Sequence, residues 1–160
     1  MGTRAVLASM ALAILASCAS TPGSKGAPDG PPWSDEKQID VGVGRGFGSG
    51  KLEIEVAELE SLAADNKAVV WSLRASAANY EFAGIEGIKF ETPSGALPLA
   101  CDRAGDPKDF AGQCEALGQN RLLRCTKPRS APGTCYKYTV ILKPRSGGTP
   151  LYKDPWIMQR

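Results

Sequence analysis

Short segments of alternating apolar and polar residues begin near residue 51 of this 160-residue chain and recur through the rest of it. Side chains of a strand point to opposite faces in turn, so this spacing predicts half-buried strands rather than helices. We expect strands at 51–57, 68–74, 80–82, 87–91, 121–126, 136–142 and 151–159. About seven short strands without a strong helix predict a mainly β fold, an antiparallel β-sandwich.

Local patterns refine this prediction for individual strands and for the segments between them. Residues 68–74 are β-branched and aromatic, which is typical of a central strand. Residues 58–64 also fit a helical stripe, and we expect an irregular or short helical connection there. Residues 127–133 have the Pro and Gly content of a turn, which predicts a hairpin between the strands at 121–126 and 136–142. Asp154-Pro155 predicts a bend in the last strand.

The chain begins with a basic residue, Arg4, followed by an uncharged apolar run at 5–16. This pattern is typical of a signal peptide. The run is about twelve residues long, whereas a bilayer-spanning helix needs roughly twenty, so we expect no permanent span. Residues 19–32 are rich in Pro, Gly, Ser and Thr with almost no apolar side chains, which predicts a disordered tether.

The tetrad Leu15-Ala16-Ser17-Cys18 resembles the lipobox of bacterial lipoproteins. The resemblance implies lipidation of Cys18, cleavage before it and a membrane anchor. Ala19 is not the aspartate that retains many such proteins in the inner membrane, so the resemblance implies a lipid anchor in the outer membrane, with the domain facing the periplasm. The expected organisation is a signal peptide at 1–17, a lipidated tether at 18–32 and one sandwich domain at 33–160.

Five cysteines would leave one thiol unpaired in an oxidising compartment. Assigning Cys18 to lipid leaves Cys101, Cys114, Cys125 and Cys135, which suits two disulfides. Three pairings are possible, and we prefer the local ones, Cys101 with Cys114 and Cys125 with Cys135, because the second would clamp the predicted hairpin. The chain has no histidine and no C-x-x-C pair, so we expect no metal site and no cofactor.

Aromatic and turn residues carry a second resemblance. These are Trp71-x-Leu73, Tyr80-x-Phe82, Gly87-Ile88-x-Phe90, Tyr136-x-Tyr138-x-Val140 and Asp154-Pro155-x-Ile157. They resemble small exported bacterial proteins of unknown function with an immunoglobulin-like or cupredoxin-like sandwich. The resemblance implies a fold and no active site, and the histidines that cupredoxin copper needs are missing.

Three polar or glycine-rich features are similar to ligand-binding motifs, but their spacing or context does not match those motifs. Glycines at every second position of 42–50 do not match a phosphate loop, and we expect a flat edge strand or a flexible arm. Asp102, Asp106 and Asp109 do not match a calcium loop. The basic run contains Arg121, Arg124, Lys127 and Arg129. We interpret this run as a solvated strand and turn, favoured over an anion-binding patch, and expect no nucleic acid partner because the charges are interspersed.

Catalytic patterns are equally weak. Without histidine the commonest general base is missing, and the acidic residues Glu53, Glu55, Glu58 and Glu60 look like one exposed face. We expect Trp71 in the core and Trp33 and Trp156 at a possible partner surface. The leading hypothesis is therefore a non-catalytic, lipid-anchored module that binds an envelope protein or cell-wall partner. The alternative is a small periplasmic inhibitor or ligand-binding module, with an envelope hydrolase third.

Overall fold

A computed structural model describes residues 35–110 and 112–160. The predicted signal peptide, Cys18, the tether and Trp33 lie outside the described residues. The strands are β1 (Glu36–Arg45), β2 (Leu52–Glu55), β3 (Leu59–Leu62), β4 (Ala68–Leu73), β5 (Tyr80–Phe82), β6 (Ile88–Glu91), β7 (Arg103–Ala104), β8 (Cys114–Leu117), β9 (Leu122–Thr126), β10 (Thr134–Pro144), β11 (Leu151–Lys153) and β12 (Trp156–Gln159). Short 3-10 turns at Ala75–Ala77, Gly84–Gly87 and Pro107–Phe110 are the helical elements of this part of the chain.

The strands form two sheets, which confirms the predicted β-sandwich. The first sheet has the order β2-β1-β4-β9-β8. The second is built around β10, with β11 and β12 on one side, β5, β6 and β7 also paired to it, and β3 beyond β12. The pairing is mixed rather than purely antiparallel, because β1 with β4, β7 with β10 and β3 with β12 run parallel.

β4 is the central strand of the first sheet, as its β-branched and aromatic composition predicts. It pairs with β1 on one side and β9 on the other. Its first four residues are buried, and Trp71 is completely inaccessible to solvent. Burial of consecutive residues means that both faces of β4 are covered along this stretch, which agrees with its nearly continuous apolar run.

The glycine run covers the end of β1, which holds Gly42 and Gly44, and the turn into β2, which holds Gly46, Gly48 and Gly50. β1 is an inner strand of its sheet, so the expectation of an edge strand or flexible arm is wrong for the part of the run in β1. β1 lies between β2 and β4, pairing with β4 from Glu36 to Val41 and with β2 from Gly42 to Arg45. The side chains of Glu53 and Glu55 occupy the space where a Cβ of Gly46 or Gly44 would lie. The glycines therefore provide room for carboxylate side chains from the neighbouring strand.

One further expectation fails because it depends on a distant partner, and one is confirmed. Residues 58–64 hold strand β3 instead of an irregular or helical connection, since β12 pairs with Leu59–Leu62 in parallel. The predicted bend at Asp154-Pro155 is present and separates β11 from β12.

The predicted hairpin and the preferred disulfide pairing are both wrong. β9 pairs with β4 and β8 in the first sheet, whereas β10 belongs to the second, so residues 127–133 cross between sheets. The two disulfides are Cys101–Cys135 and Cys114–Cys125. Cys125 lies opposite Cys114 across the β8–β9 pair, and Cys135 lies beside β7, which follows Cys101 closely.

Candidate functional site

Five aromatic side chains link the two sheets in the interior. Trp71 meets the edge of Tyr138 at a centroid distance of 5.5 Å and that of Phe90 at 6.2 Å. Phe90 stacks on Phe110 at 3.8 Å, and Phe110 meets Tyr136 edge-on at 5.1 Å. We call these five residues the aromatic cluster. It fills the middle of the sandwich with close-packed rings.

The tyrosine hydroxyls of the cluster are held in their neutral form. Burial raises the pKa of Tyr138, and its hydroxyl and the Trp71 indole N–H both lack a hydrogen-bond partner of good geometry. Burial also raises the pKa of Tyr136 to about 12, and its hydroxyl donates to Asp109 Oδ2 at 2.8 Å. These pKa shifts disfavour tyrosinate chemistry near neutral pH.

An apolar groove opens where the aromatic cluster reaches the surface. We call it the edge groove; its volume is about 330 Å³, and it is lined by Ile85, Glu86, Ile88, Lys89, Phe90, Pro107, Lys108, Phe110, Gly112 and Cys114. Ile88 and Phe110 are almost completely buried, whereas Ile85 is 61% exposed at its mouth. The groove therefore combines an aromatic floor with an exposed aliphatic rim.

A larger, polar recess lies at one end of the sandwich. Its volume is about 710 Å³, and it is formed by residues near 64–67, 126–132 and the last two residues. Lys127 donates to the carbonyls of Ala63 and Ala64 at 2.9 Å, and burial lowers the pKa of its ammonium group. Lys67 pairs with Asp35 at 2.5 Å. Two of the four cations that line this recess are thus already bound by protein groups.

The basic run does not form one patch. Arg121 donates to the carbonyl of Leu73 at 3.1 Å, and Arg124 bonds Glu36 at 2.8 Å and Glu115 at 3.3 Å. Lys127 bonds backbone carbonyls as described, and Arg129 lines the polar recess. The structure thus separates the four cations, and three of them stabilise the fold.

The acidic residues singled out above are also dispersed. Glu58 pairs with Lys153 and Glu60 with Lys37. Glu55 lies over Gly44 of β1, and Glu53 lies over Gly46 just beyond it. In the loop that precedes β8, Asp106 caps Lys108 and Asp109 accepts from Tyr136. Across residues 35–110 and 112–160, no group of three His, Cys, Asp or Glu side chains is arranged to hold a metal ion.

The tryptophans occupy different places. Trp71 is in the core, as predicted. Trp156 is half-buried on the outer face of the second sheet, with the Lys137 ammonium 6.0 Å from its ring centre. Its assignment to a partner surface stays a prediction, and Trp33 lies outside the described residues.

Sequence reasoning missed the edge groove. Phe110 sits in a polar loop that shows no periodicity, and Ile85 lies in a glycine-bounded turn. The one available signal was an isolated large apolar residue inside each of these polar segments. Only the fold brings the two segments together beside β6.

Comparison with protein families and curated proteins adds no relative. No protein-family model matches the chain, and no curated protein matches it either.

No helix in the part of the chain that the structure describes is long and apolar enough to cross a membrane.

Proposed function

We propose that this protein is a non-catalytic binding module, anchored by lipid in the outer membrane, that presents its surface to an envelope protein or cell-wall partner. One observation carries the binding role: the interior is filled by the aromatic cluster, and its apolar surface emerges at the edge groove. Recognition would then take place on the surface of a rigid sandwich. The anchor is supported by the residues at 1–18 alone.

Acyl labelling tests the anchor. A fatty acid analogue supplied to cells should label the wild-type chain, and Cys18→Ser should abolish the label because the thiol is the acceptor. Ser20→Ala, two residues further on, is the matched control and should stay labelled. Continued labelling of Cys18→Ser would remove the lipoprotein assignment.

Site-specific photocrosslinking in the native envelope tests the binding role. A photoreactive residue at Ile85 or Trp156 should capture the same partner in repeated experiments, whereas one at the exposed Lys143 should not. A chain that stays a monomer without a reproducible crosslink contradicts the proposal. Cleavage of an envelope polymer by the purified protein would favour a hydrolase instead.

A small-ligand module is a second candidate because of the size of the edge groove. Ligand pockets usually have volumes of roughly 300–1,000 Å³, and the groove is near the lower limit. Native mass spectrometry of the protein purified from its own envelope distinguishes the two functions. A bound small apolar molecule that is lost in Ile85→Asp would favour the ligand-binding function.

A further inference from the structure

The edge groove is bordered by a strand with a free edge. β6 pairs with β10 alone, and Phe90 lies opposite Tyr138. The Tyr138 N–H donates to Pro155 O at 3.1 Å, on the far side of β10. In an antiparallel ladder, residues opposite each other direct their polar groups either towards or away from each other. Phe90 therefore directs its N–H and C=O away from β10, towards the groove.

The opposite border is also a free strand edge. β8 is the terminal strand of the first sheet and pairs with β9. Gln113 O accepts from Thr126 N–H at 3.0 Å and Leu117 O from Arg121 N–H at 3.2 Å, so these odd-numbered residues face β9. Cys114 and Ala116 therefore direct their backbone groups outward. The 4.0 Å Cα separation of Cys114 and Cys125 agrees with a non-hydrogen-bonded pair.

These outward groups have no backbone partner in the described residues. No turn or loop residue bonds the N–H or C=O of Phe90, Cys114 or Ala116. An exposed strand edge is a template for another extended chain. An apolar small molecule would fill the floor of the groove but make no use of these donors and acceptors.

The rim of the groove carries one cation, Lys108, that forms no ion pair within the described residues. Lys89 and Lys108 stand against Glu86 among the lining residues. Lys89 pairs with Glu91 at 3.5 Å, whereas the Lys108 ammonium has no acidic partner within the described residues. A second copy of this chain joined through β6 would add another unpaired Lys108 to the contact. The charge therefore favours an acidic partner over self-association.

We propose that the edge groove binds an extended acidic peptide segment of a partner protein, which adds to β6 as a further strand. The peptide backbone bonds the free groups of Phe90, one apolar side chain packs on Phe90, Phe110 and Ile85, and a carboxylate pairs with Lys108. This mode is β-strand addition, in which backbone bonds give affinity and side-chain pockets give specificity. The inference rests on the proposed binding function and specifies its site and partner chemistry.

Selection and binding measurements with the full-length protein in detergent test the inference. A displayed library of random eight-residue peptides is selected on the wild-type chain, and the enriched peptide is synthesised. We expect an apolar residue flanked by acidic ones. Ile85→Ser should weaken binding at least about tenfold, as loss of a central apolar contact does. Tyr152→Ser is the matched control, because Tyr152 is also 61% exposed, and should bind normally.

Two further measurements separate strand addition from general apolar binding. Peptides N-methylated at every second amide form two sets: the set that blocks the edge facing β6 should lose binding, and the other should keep it. Lys108→Glu should weaken the acidic peptide and be rescued by a peptide with lysine in place of the acid. Equal binding of both N-methylated sets, or no enrichment over an unrelated protein, would overturn the inference.

The outcomes also distinguish this inference from the proposed function. Crosslinks from Trp156 without any from Ile85 would leave a binding module but refute the groove as its site. A concentration-dependent dimer lost in Ile85→Ser would assign the groove to a second copy. A small molecule displaced by neither N-methylated set would assign it to a ligand.

Discussion

The two ends of the aromatic cluster have the same chemistry and opposite surroundings. Trp71 and Tyr138 are completely inaccessible between the two sheets. Phe90, half-buried and stacked on Phe110, forms the floor of the edge groove. The difference comes from strand neighbours: β4 is paired on both sides, whereas β6 has β10 alone. Aromatic packing therefore supplies stability where both sheets enclose it and lines an open groove where β6 has no second neighbour.

The test with the largest expected effect removes one side chain from the enclosed end of the cluster and one from the mouth of the edge groove. Trp71→Ala should lower the free energy of unfolding by about 3–5 kcal/mol, because the enclosed site cannot collapse around the cavity. Ile85→Ala at the groove should change it by less than about 0.5 kcal/mol, since the side chain is already exposed. Urea denaturation with intact disulfides measures both. A similar loss in the two variants would contradict the distinction.

Removal of each disulfide tests the same comparison, with slightly smaller expected losses of stability. Cys101–Cys135 joins residues 34 apart and Cys114–Cys125 residues 11 apart. Loop closure predicts losses of roughly 4 kcal/mol for Cys101→Ser/Cys135→Ser and roughly 3 kcal/mol for Cys114→Ser/Cys125→Ser.

Only the second pair borders the groove, because Cys114 lines it. Amide exchange of β8 should therefore accelerate in Cys114→Ser/Cys125→Ser and stay unchanged in the other double variant under native conditions. Urea denaturation gives the stability order. Faster exchange of β8 in both variants would refute the local role of Cys114–Cys125.

The smallest effect concerns the hydroxyl of Tyr136. Burial raises its pKa from the ordinary 10.0 to about 12, with the Asp109 bond in support. Between these two values the unfolded chain releases the proton while the folded chain keeps it, so stability falls as pH rises. Below pH 10 this loss is absent.

Tyr136→Phe removes this contribution, whereas Tyr138 is present in both proteins and contributes equally to each. The wild type should be more stable than Tyr136→Phe by about 1 kcal/mol at pH 7, from the hydrogen bond. That advantage should shrink by about 1 kcal/mol as the pH approaches 11. Parallel stability curves for the two proteins from pH 8 to 11 would show that the hydroxyl does not titrate as described.

Local patterns predicted what local physics determines. The alternation at 51–57 and the β-branched run at 68–74 both became strands, because side-chain burial on a pleated surface is encoded by neighbours in sequence. The pairing of strands and of cysteines could not be predicted in this way. β3 depends on β12, and the Cys135 partner depends on β7, so spacing along the chain could not identify either. The local preference for a 127–133 turn failed for the same reason.

The candidate site was harder to predict than the fold. Trp71 was recognisable as core because it stands inside an apolar strand. Ile85 and Phe110 come from two turns that are separated by β6 and β7, and they meet only in the folded chain. The unpaired edge of Phe90 is a property of the ladder around β10, which no single segment encodes.

The position of β10 after most of its partner strands has a consequence for biosynthesis. β5, β6 and β7 pair with β10, and β3 pairs with β12, so each of these strands is synthesised before its partner exists. Such pairings must wait for loop closure over long stretches of chain, which makes folding slow. A nascent chain can assemble β1, β2 and β4 early, but the second sheet forms only after β10 and β12 have been synthesised. Until then its apolar strands are a target for holding chaperones and proteases.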